Sequence, residues 1–173
     1  IKSLTKARPL ASIPIAGRYR IIDFTLSNLV NSGIQNVGIL TQGKSRSLID
    51  HLGSGKPWDL DRKINGLFIF NFGGVISTLS DIEMLKGNME YLYRSKQEKV
   101  ILCSSAMVCN IDFEKAAKFH EHSNKDITII YKKINDGTNH FLNCDVLNIG
   151  ESNSVLSVGK NTGIEDNQNI SME

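Results

Sequence analysis

Apolar residues recur along this chain in two alternating spacings, and this alternation restricts the fold more than any other feature of the sequence. From residue 21 to 32 they fall at helical spacing, and Gly33 follows where a left-handed cap would end the helix. Residues 37–41 then have the length and the apolar character of a buried strand. Because helical and strand patterns go on alternating, we predict an α/β fold with a mostly parallel sheet and helices on both faces.

The remaining elements follow from the same two patterns. Ser80 and Glu83 have the spacing of a capping box and predict the start of a helix. Its apolar face would comprise Ile82, Leu85, Met89 and Leu92. Further helices are predicted at 45–52 and, capped by Asp112, at 112–122. The further predicted strands are 67–70, 100–103, 127–131, 145–149 and 155–158, of which the last two would add an antiparallel piece. Residues 161–173 are polar and show no strand pattern, and no strand precedes residues 2–8, so the chain reads as part of something longer.

The composition excludes several classes of protein. No apolar run approaches the roughly 20 residues that span a bilayer, and no secretory signal is visible, so we expect no membrane partner. A net charge of +2 is too small to indicate nucleic-acid binding. The three cysteines are odd in number and widely spaced, which argues against a disulfide framework and against a zinc site. Location in the reducing cytoplasm fits this cysteine content best.

Positive charge is concentrated at the start of the chain. The first 22 residues contain no acid but five basic residues, namely Lys2, Lys6, Arg8, Arg18 and Arg20. An unopposed basic cluster suits phosphate-bearing small molecules, although a solvated basic surface would have the same composition. Gly17 lets the backbone bend sharply, and Arg18 and Arg20 project from that bend. A helix starts just after it, and a helix N-terminus beside arginines is a natural phosphate site. The alternative is a plain turn in which Arg20 pairs with Asp23.

Two other polar segments are weaker candidates. Gln42 and Lys44 follow the strand predicted at 37–41, where side chains could bind a base or a phosphate, although an ordinary polar loop is an equal alternative. Asp59 and Asp61 could share a cation, but such charged runs are more often self-paired surface loops or interfaces. The chain contains neither a GxxxxGK[ST] phosphate loop nor a GxGxxG motif.

Residues 4–52 resemble the glucose-1-phosphate adenylyltransferases, the ADP-glucose pyrophosphorylases of glycogen and starch synthesis. The family motif P-F-G-G-K-Y-R-I-I-D-F-x-L-S-N is matched by PIAGRYRIIDFTLSN at 14–28, followed by NSGI at 31–34 and LTQGKS at 40–45. The segment DHLGSGKPWDLDRKINGLFIF at 50–70 is most similar to the glycogen-biosynthesis branch called GlgD. The resemblance implies a Rossmann-like (GT-A-like) nucleotidyltransferase fold. Residues 1–173 would then be a partial nucleotidyltransferase domain, a fragment that lacks the first strand and the C-terminal β-helix.

The resemblance also implies what the chain has lost. The family joins ATP and glucose 1-phosphate to ADP-glucose and pyrophosphate, and two acidic residues hold the Mg²⁺ that the reaction needs. The first of these acids falls on Ala106, whose methyl group cannot replace the hard oxygen ligands of Mg²⁺. The family's Gly-Thr-Ala nucleotide motif falls on Ser80, Asp81 and Ile82, where an aspartate would repel phosphate. We therefore expect no catalytic residue and no bound cofactor or metal in this chain; Mg²⁺ and ATP belong to the family reaction.

The family residues that the chain retains predict a site that binds a ligand but does not catalyse the family reaction. The candidate residues for binding a substrate or effector are Arg8, Gly17, Arg18, Arg20, Asp23, Gln42 and Lys44. We interpret the chain as part of a non-catalytic or weakly catalytic regulatory subunit that forms a hetero-oligomer with a catalytic homologue and responds to a sugar phosphate or nucleotide. Two alternatives stay open. One is an active adenylyltransferase in which Asp112 or another carboxylate replaces the lost ligand, and the other is a stand-alone binding module for a sugar phosphate or nucleotide.

Overall fold

The structure, a computed structural model, describes residues 4–72 and 79–172. Lys2, part of the basic cluster noted above, therefore lies outside the described residues. The chain divides into two compact units, with the boundary after Lys115, and each is described by itself. Within the two described ranges, no helix is long and apolar enough to cross a membrane.

The first unit confirms the helices predicted at 21–32 and 45–52 and the strands predicted at 37–41 and 67–70. Its elements are strands β1 (Pro14–Ile15) and β2 (Tyr19–Arg20), helix α1 (Ile21–Asn31), strand β3 (Asn36–Thr41), helix α2 (Arg46–Leu52), strand β4 (Gly66–Asn71), and helices α3 (Asp81–Lys86) and α4 (Met89–Ser95). Short 3-10 turns lie at Leu10–Ser12 and Lys56–Trp58. Helix α5 (Phe113–Ser123) begins in this unit and continues into the second, as the Asp112 cap predicts.

Helix α1 supplies much of the core of the first unit. Ile22, Leu26 and Leu29 lie on its apolar side, and none of them is more than 7 % exposed. The helix ends in the predicted left-handed cap, because Gly33 has a φ of 79°. The N–H groups of Gly33 and Ile34 donate to carbonyls of the last turn, which completes a Schellman motif.

Strands β3 and β4 pair in parallel along their full length, as the alternating helix and strand pattern predicts. Tyr91 of α4 packs on this pair, with its ring centroid 5.2 Å from that of Phe68 and 5.1 Å from that of Phe70. Its hydroxyl donates a hydrogen bond to Asn36 Oδ1 at 2.8 Å. Burial raises the pKa of Tyr91 to about 12. These contacts attach α4 to the parallel pair.

The helix predicted from residue 80 is shorter than expected. The capping box forms, with Ser80 N–H donating to the Glu83 carboxylate at 2.8 Å, but the helix breaks between α3 and α4. The side-chain amide of Asn88 donates to the Met84 carbonyl at 2.9 Å and so occupies the acceptor that a continuing helix would use. The predicted apolar face is wrong at Ile82, which is 66 % exposed, and Met84 is buried instead. Leu85, Met89 and Leu92 are half-buried.

Residues 100–103 are also not the strand that their apolar composition predicts. A run of apolar residues becomes a strand only where a neighbouring segment completes the ladder of hydrogen bonds. No described residue pairs with this segment in a ladder, and Leu102 is 66 % exposed.

The second unit, residues 116–172, is built on a four-stranded antiparallel sheet. Its strands are β5 (Tyr131–Ile134), β6 (Asp145–Ile149), β7 (Val155–Lys160) and β8 (Gln168–Ser171), in the spatial order β5-β8-β6-β7. Strands β6 and β7 confirm the predicted antiparallel piece. The strand predicted at 127–131 begins only at Tyr131, because its position is set by pairing with β8. Strand β8 itself contradicts the expectation that residues 161–173 contain no strand, since long-range pairing rather than composition makes it one.

One buried amide joins the loops of the second unit. Asn161 is 1 % exposed, and both ends of its side chain are fully hydrogen-bonded. Its Nδ2 donates to the carbonyls of Gly137, His140 and Phe141. Its Oδ1 accepts hydrogen bonds from the N–H of Gly163 and from Nε2 of Gln168. The Asn161 side chain thus holds together loop segments for which the sequence predicts neither a helix nor a strand.

We predict that Asn161→Ala lowers the free energy of unfolding by about 3 kcal/mol, because several buried polar groups lose their partner at once. Chemical denaturation followed by circular dichroism measures this loss. Asn139→Ala is the matched control, since Asn139 is exposed, and we expect a change below about 0.5 kcal/mol. Equal losses in the two variants would contradict the role given to Asn161.

Candidate functional site

A row of polar side chains lies on the buried side of α1. Asp23, Thr25 and Asn28 are each at most 9 % exposed. Buried polar atoms require partners, and each of these side chains finds one in a different part of the first unit. We call this set the α1 polar row. It connects α1 to α2 and to the segment that contains Ala106.

Asp23 links the first turn of α1 to α2. Its Oδ2 accepts the backbone N–H of Arg20 at 2.9 Å, and its Oδ1 accepts the Nε2–H of His51 at 2.6 Å. The ring of Trp58 lies edge-on to that of His51, with centroids 6.0 Å apart. Asp23 therefore contacts Arg20 through the backbone, and not through the guanidinium as a plain turn would predict. His51 comes to this site from 28 residues away, and no local signal indicates it.

The guanidinium of Arg20 is directed at α2. Its Nη1 donates to the carbonyl of Ser47 at 2.5 Å and to the hydroxyl of the same residue at 2.9 Å. Arg20 thus holds the start of α1 and the first half of α2 together, which is a structural use of a side chain predicted to bind phosphate.

Arg18 is the arginine that the bend between β1 and β2 leaves at the surface. Ala16 and Gly17 both have positive φ, 50° and 73°, in the left-handed region that favours glycine. Arg18 is exposed, and its guanidinium carbon lies 5.7 Å from the centroid of the Tyr19 ring. It is therefore accessible to an anionic ligand.

The other candidate residues hold neighbouring backbone. Lys44 Nζ donates to the carbonyl of Lys6 at 2.8 Å. The Gln42 amide makes two hydrogen bonds with one residue, since its Nε2 donates to the Leu79 carbonyl and its Oε1 accepts the Leu79 N–H. Arg8 is half-buried. The structure thus places Gln42 and Lys44 at the carboxyl end of β3, as predicted. Gln42 uses both ends of its amide there, whereas the exposed Lys44 uses one of its three N–H donors.

Ala106 lies in a loop that α1 anchors on both sides. Thr25 Oγ1 donates to the Ser104 carbonyl at 3.4 Å, and Asn28 Nδ2 donates to the Cys109 carbonyl at 2.9 Å. Between these anchors Ala106 is exposed, and its N–H donates to Ser104 Oγ at 3.2 Å. The loop is held in place, while the exposed side chain of Ala106 contributes only a methyl group. Sequence reasoning missed Thr25, because its acceptor lies 79 residues away.

Cys103 and Cys109 flank this loop and are half-buried. Burial raises the pKa of both thiols, and the nearby Cys109 raises that of Cys103 further. Because the thiolate is disfavoured, neither cysteine is activated as a nucleophile.

The remaining acidic candidates are engaged locally. The backbone N–H of Lys115 donates to Asp112 Oδ1 at 3.1 Å, and this hydrogen bond lowers the pKa of Asp112. Asp59 pairs with Arg62, and Asp81 lies in the first turn of α3. Among residues 4–72 and 79–172, no three His, Cys, Asp or Glu side chains converge in a way that could hold a metal ion.

The parallel pair of β3 and β4 and the helices around it belong to a known class of protein. The nucleotidyl transferase family model matches residues 1–140, and the chain belongs to this family. The crystal structure of HddC from Yersinia pseudotuberculosis has the same fold, with a TM-score of 0.74 over 99 % of this chain and 68 % of that chain. At 18 % identity this likeness shows the fold alone. It confirms the predicted nucleotidyltransferase fold class.

Relatives within the family carry two names. The chain is 40 % identical over 135 residues to the glycogen biosynthesis protein GlgD of Bacillus subtilis (strain 168), which covers 76 % of this chain and 39 % of that protein. It is 38 % identical over 134 residues to the glucose-1-phosphate adenylyltransferase of Clostridium novyi (strain NT), covering 75 % of this chain and 35 % of the enzyme. The family resemblance in the sequence is thereby confirmed. The chain spans less than half the length of these relatives.

We predict that Asn28→Ala loosens the loop around Ala106 and destabilises the protein by about 2 kcal/mol, because the part-buried Cys109 carbonyl loses its donor. Hydrogen exchange of peptides covering 104–110 and chemical denaturation measure the two effects. Asn31→Ala on the same helix is the matched control, since Asn31 is exposed. Unchanged exchange in Asn28→Ala would show that Asn28 does not hold the loop.

Proposed function

We propose that the protein containing this chain acts in glycogen biosynthesis as a regulatory subunit that partners a catalytic glucose-1-phosphate adenylyltransferase. The observation that carries the proposal is Ala106. It occupies the exposed position of a loop that Thr25 and Asn28 still anchor, so the scaffold is retained where the resemblance implies that a metal ligand is missing.

The residues around this loop do not fit the Mg²⁺ of the family reaction. Mg²⁺ requires oxygen ligands in near-octahedral geometry, and Ala106 offers none from its side chain. Adenylyl transfer builds negative charge on the phosphates, which the metal neutralises in the family reaction. A protein without that ligand keeps the fold but loses the main source of charge stabilisation.

A second function, an active enzyme with Asp112 as the replacement ligand, finds no support in the described residues. The Asp112 carboxylate accepts the Lys115 N–H, and its second oxygen lies 3.1 Å from Lys115 Nζ. Its carboxylate serves the start of α5, and using it for a metal would undo this cap.

The hydrogen bonds of the candidate residues limit which of them we propose as effector contacts. Arg20, Gln42 and Lys44 already bond protein groups, whereas Arg18 is exposed on the bend at Gly17. We propose that a phosphate-bearing effector, a sugar phosphate or a nucleotide, is bound by Arg18, with Arg8 as a second contact. Arg20 and Asp23 would support this site through their hydrogen bonds to α2.

We further propose that the protein works in the cytoplasm as part of a hetero-oligomer.

Mixing the full-length protein with a catalytic homologue from the same source tests the regulatory function. We expect the isolated protein to form no ADP-glucose from ATP and glucose 1-phosphate, and we expect its addition to change the kcat/KM or the effector response of the homologue. The control is the homologue mixed with an unrelated protein at the same concentration. Unchanged kinetics after mixing would refute the regulatory function.

Calorimetry tests the effector site, with ATP, ADP-glucose and fructose bisphosphate as the probes. We expect Arg18→Ala to weaken the binding of whichever probe binds by about tenfold, the loss of roughly one charge-assisted hydrogen bond. Arg94→Ala is the matched control, because Arg94 is an exposed arginine whose partner is Glu90 on its own helix. Equal affinities of wild type and Arg18→Ala would exclude Arg18 as an effector contact.

A further inference from the structure

Asp23 is a buried carboxylate whose hydrogen-bond donors are neutral when His51 is neutral. One donor is the backbone N–H of Arg20, and the other is the Nε2–H of His51. Within the described part of the chain, no lysine or arginine side chain forms an ion pair with Asp23. A buried carboxylate is destabilising unless it is paired with positive charge or fully hydrogen-bonded. The site therefore has a place for one positive charge.

His51 is the group that can supply this charge. Its Nε2 lies 2.6 Å from Asp23 Oδ1, a distance typical of a charge-assisted hydrogen bond. The contact fixes the proton of the neutral ring on Nε2, so that protonation adds a proton at Nδ1. Histidine is the side chain whose charge changes most readily within the physiological pH range.

The charged groups next to this pair on α1, on α2 and on the turn at 56–58 are exposed or bonded elsewhere. On α2, Arg46 and Asp50 pair with each other at 3.7 Å, and their side chains are 94 % and 67 % exposed. On the turn at 56–58, Trp58 faces His51 with its ring, and Lys56 is exposed. At the start of α1, Arg20 directs its guanidinium to Ser47. Exposed charges are screened by solvent, whereas the Asp23–His51 contact is largely buried.

We propose that Asp23 and His51 form a pH-dependent tie between α1 and α2, and that His51 is a positioning residue for the first loop, by which we mean the bend between β1 and β2 that carries Arg18. Protonation of His51 turns a neutral hydrogen bond into an ion pair. The ion pair then holds the Asp23 carboxylate more firmly on the Arg20 N–H. The start of α1 and the bend that carries Arg18 are thereby held more firmly as well. The first loop is consequently more rigid in mild acid than at alkaline pH.

Hydrogen exchange of the full-length protein at pH 5.5 and pH 8.0 tests the tie, with rates corrected for intrinsic chemistry. We expect His51→Gln to speed exchange in peptides covering 18–31 and 46–58 by about tenfold at pH 5.5, because a charged hydrogen bond is lost. At pH 8.0 we expect little change, since glutamine can donate a comparable neutral hydrogen bond. His122→Gln is the matched control, because His122 is exposed and should leave these peptides unchanged at both values.

Asp23→Asn provides a second, independent variant. It removes the carboxylate, so the wild-type difference between the two pH values in these peptides should disappear. An equal effect of His51→Gln at both pH values, or a pH difference that persists in Asp23→Asn, would overturn the proposal. If His51→Gln does not fold, the comparison of wild type with Asp23→Asn decides alone. Exchange needs neither a partner nor activity, so this result is independent of the regulatory function.

Discussion

The hydrogen bonds of the α1 polar row are the constraint on which the first unit depends. A helix buried on one side normally presents apolar residues there, and α1 does so with Ile22, Leu26 and Leu29. The additional polar groups of the row cannot be left without partners, so the segments that satisfy them are fixed in position. Asp23 fixes α2, and Asn28 fixes the loop around Ala106.

This arrangement separates the scaffold of a nucleotidyl transferase from its chemistry. The groups that hold the loop come from α1, whereas the group that would bind a metal would come from an exposed position of the loop itself. An alanine in place of a metal ligand at position 106, as we propose, would therefore leave the fold intact. The same separation holds at the first loop, where Arg20 is used for structure while Arg18 stays accessible. A regulatory subunit that retains a binding surface is consistent with both observations.

Local signals in the sequence predict much of the fold. The glycine cap after α1 and the capping box at Ser80 form as expected, because they depend on residues a few positions apart. Expectations failed where distant residues decide. Strand β5 begins late because it pairs with β8, and β8 forms because it pairs with both β5 and β6. The break after α3 depends on the side chain of Asn88.

The residues of the candidate site were likewise predictable only where local signals in the sequence identify them. Arg20 and Asp23 were identified from motif and charge, but their partners Ser47 and His51 lie 27 and 28 residues further along the chain. No spacing rule connects them, and only the packing of α2 against α1 brings them together.

We propose that the position of Ala106 has lost a metal ligand within an intact scaffold. Mn²⁺, a spectroscopic substitute for Mg²⁺, tests this loss directly through electron paramagnetic resonance of the full-length protein with ATP. We predict no bound Mn²⁺ signal at this site for wild type and a clear gain of bound Mn²⁺ in Ala106→Asp, with the fold unchanged. Equal Mn²⁺ binding by wild type and Ala106→Asp would contradict it.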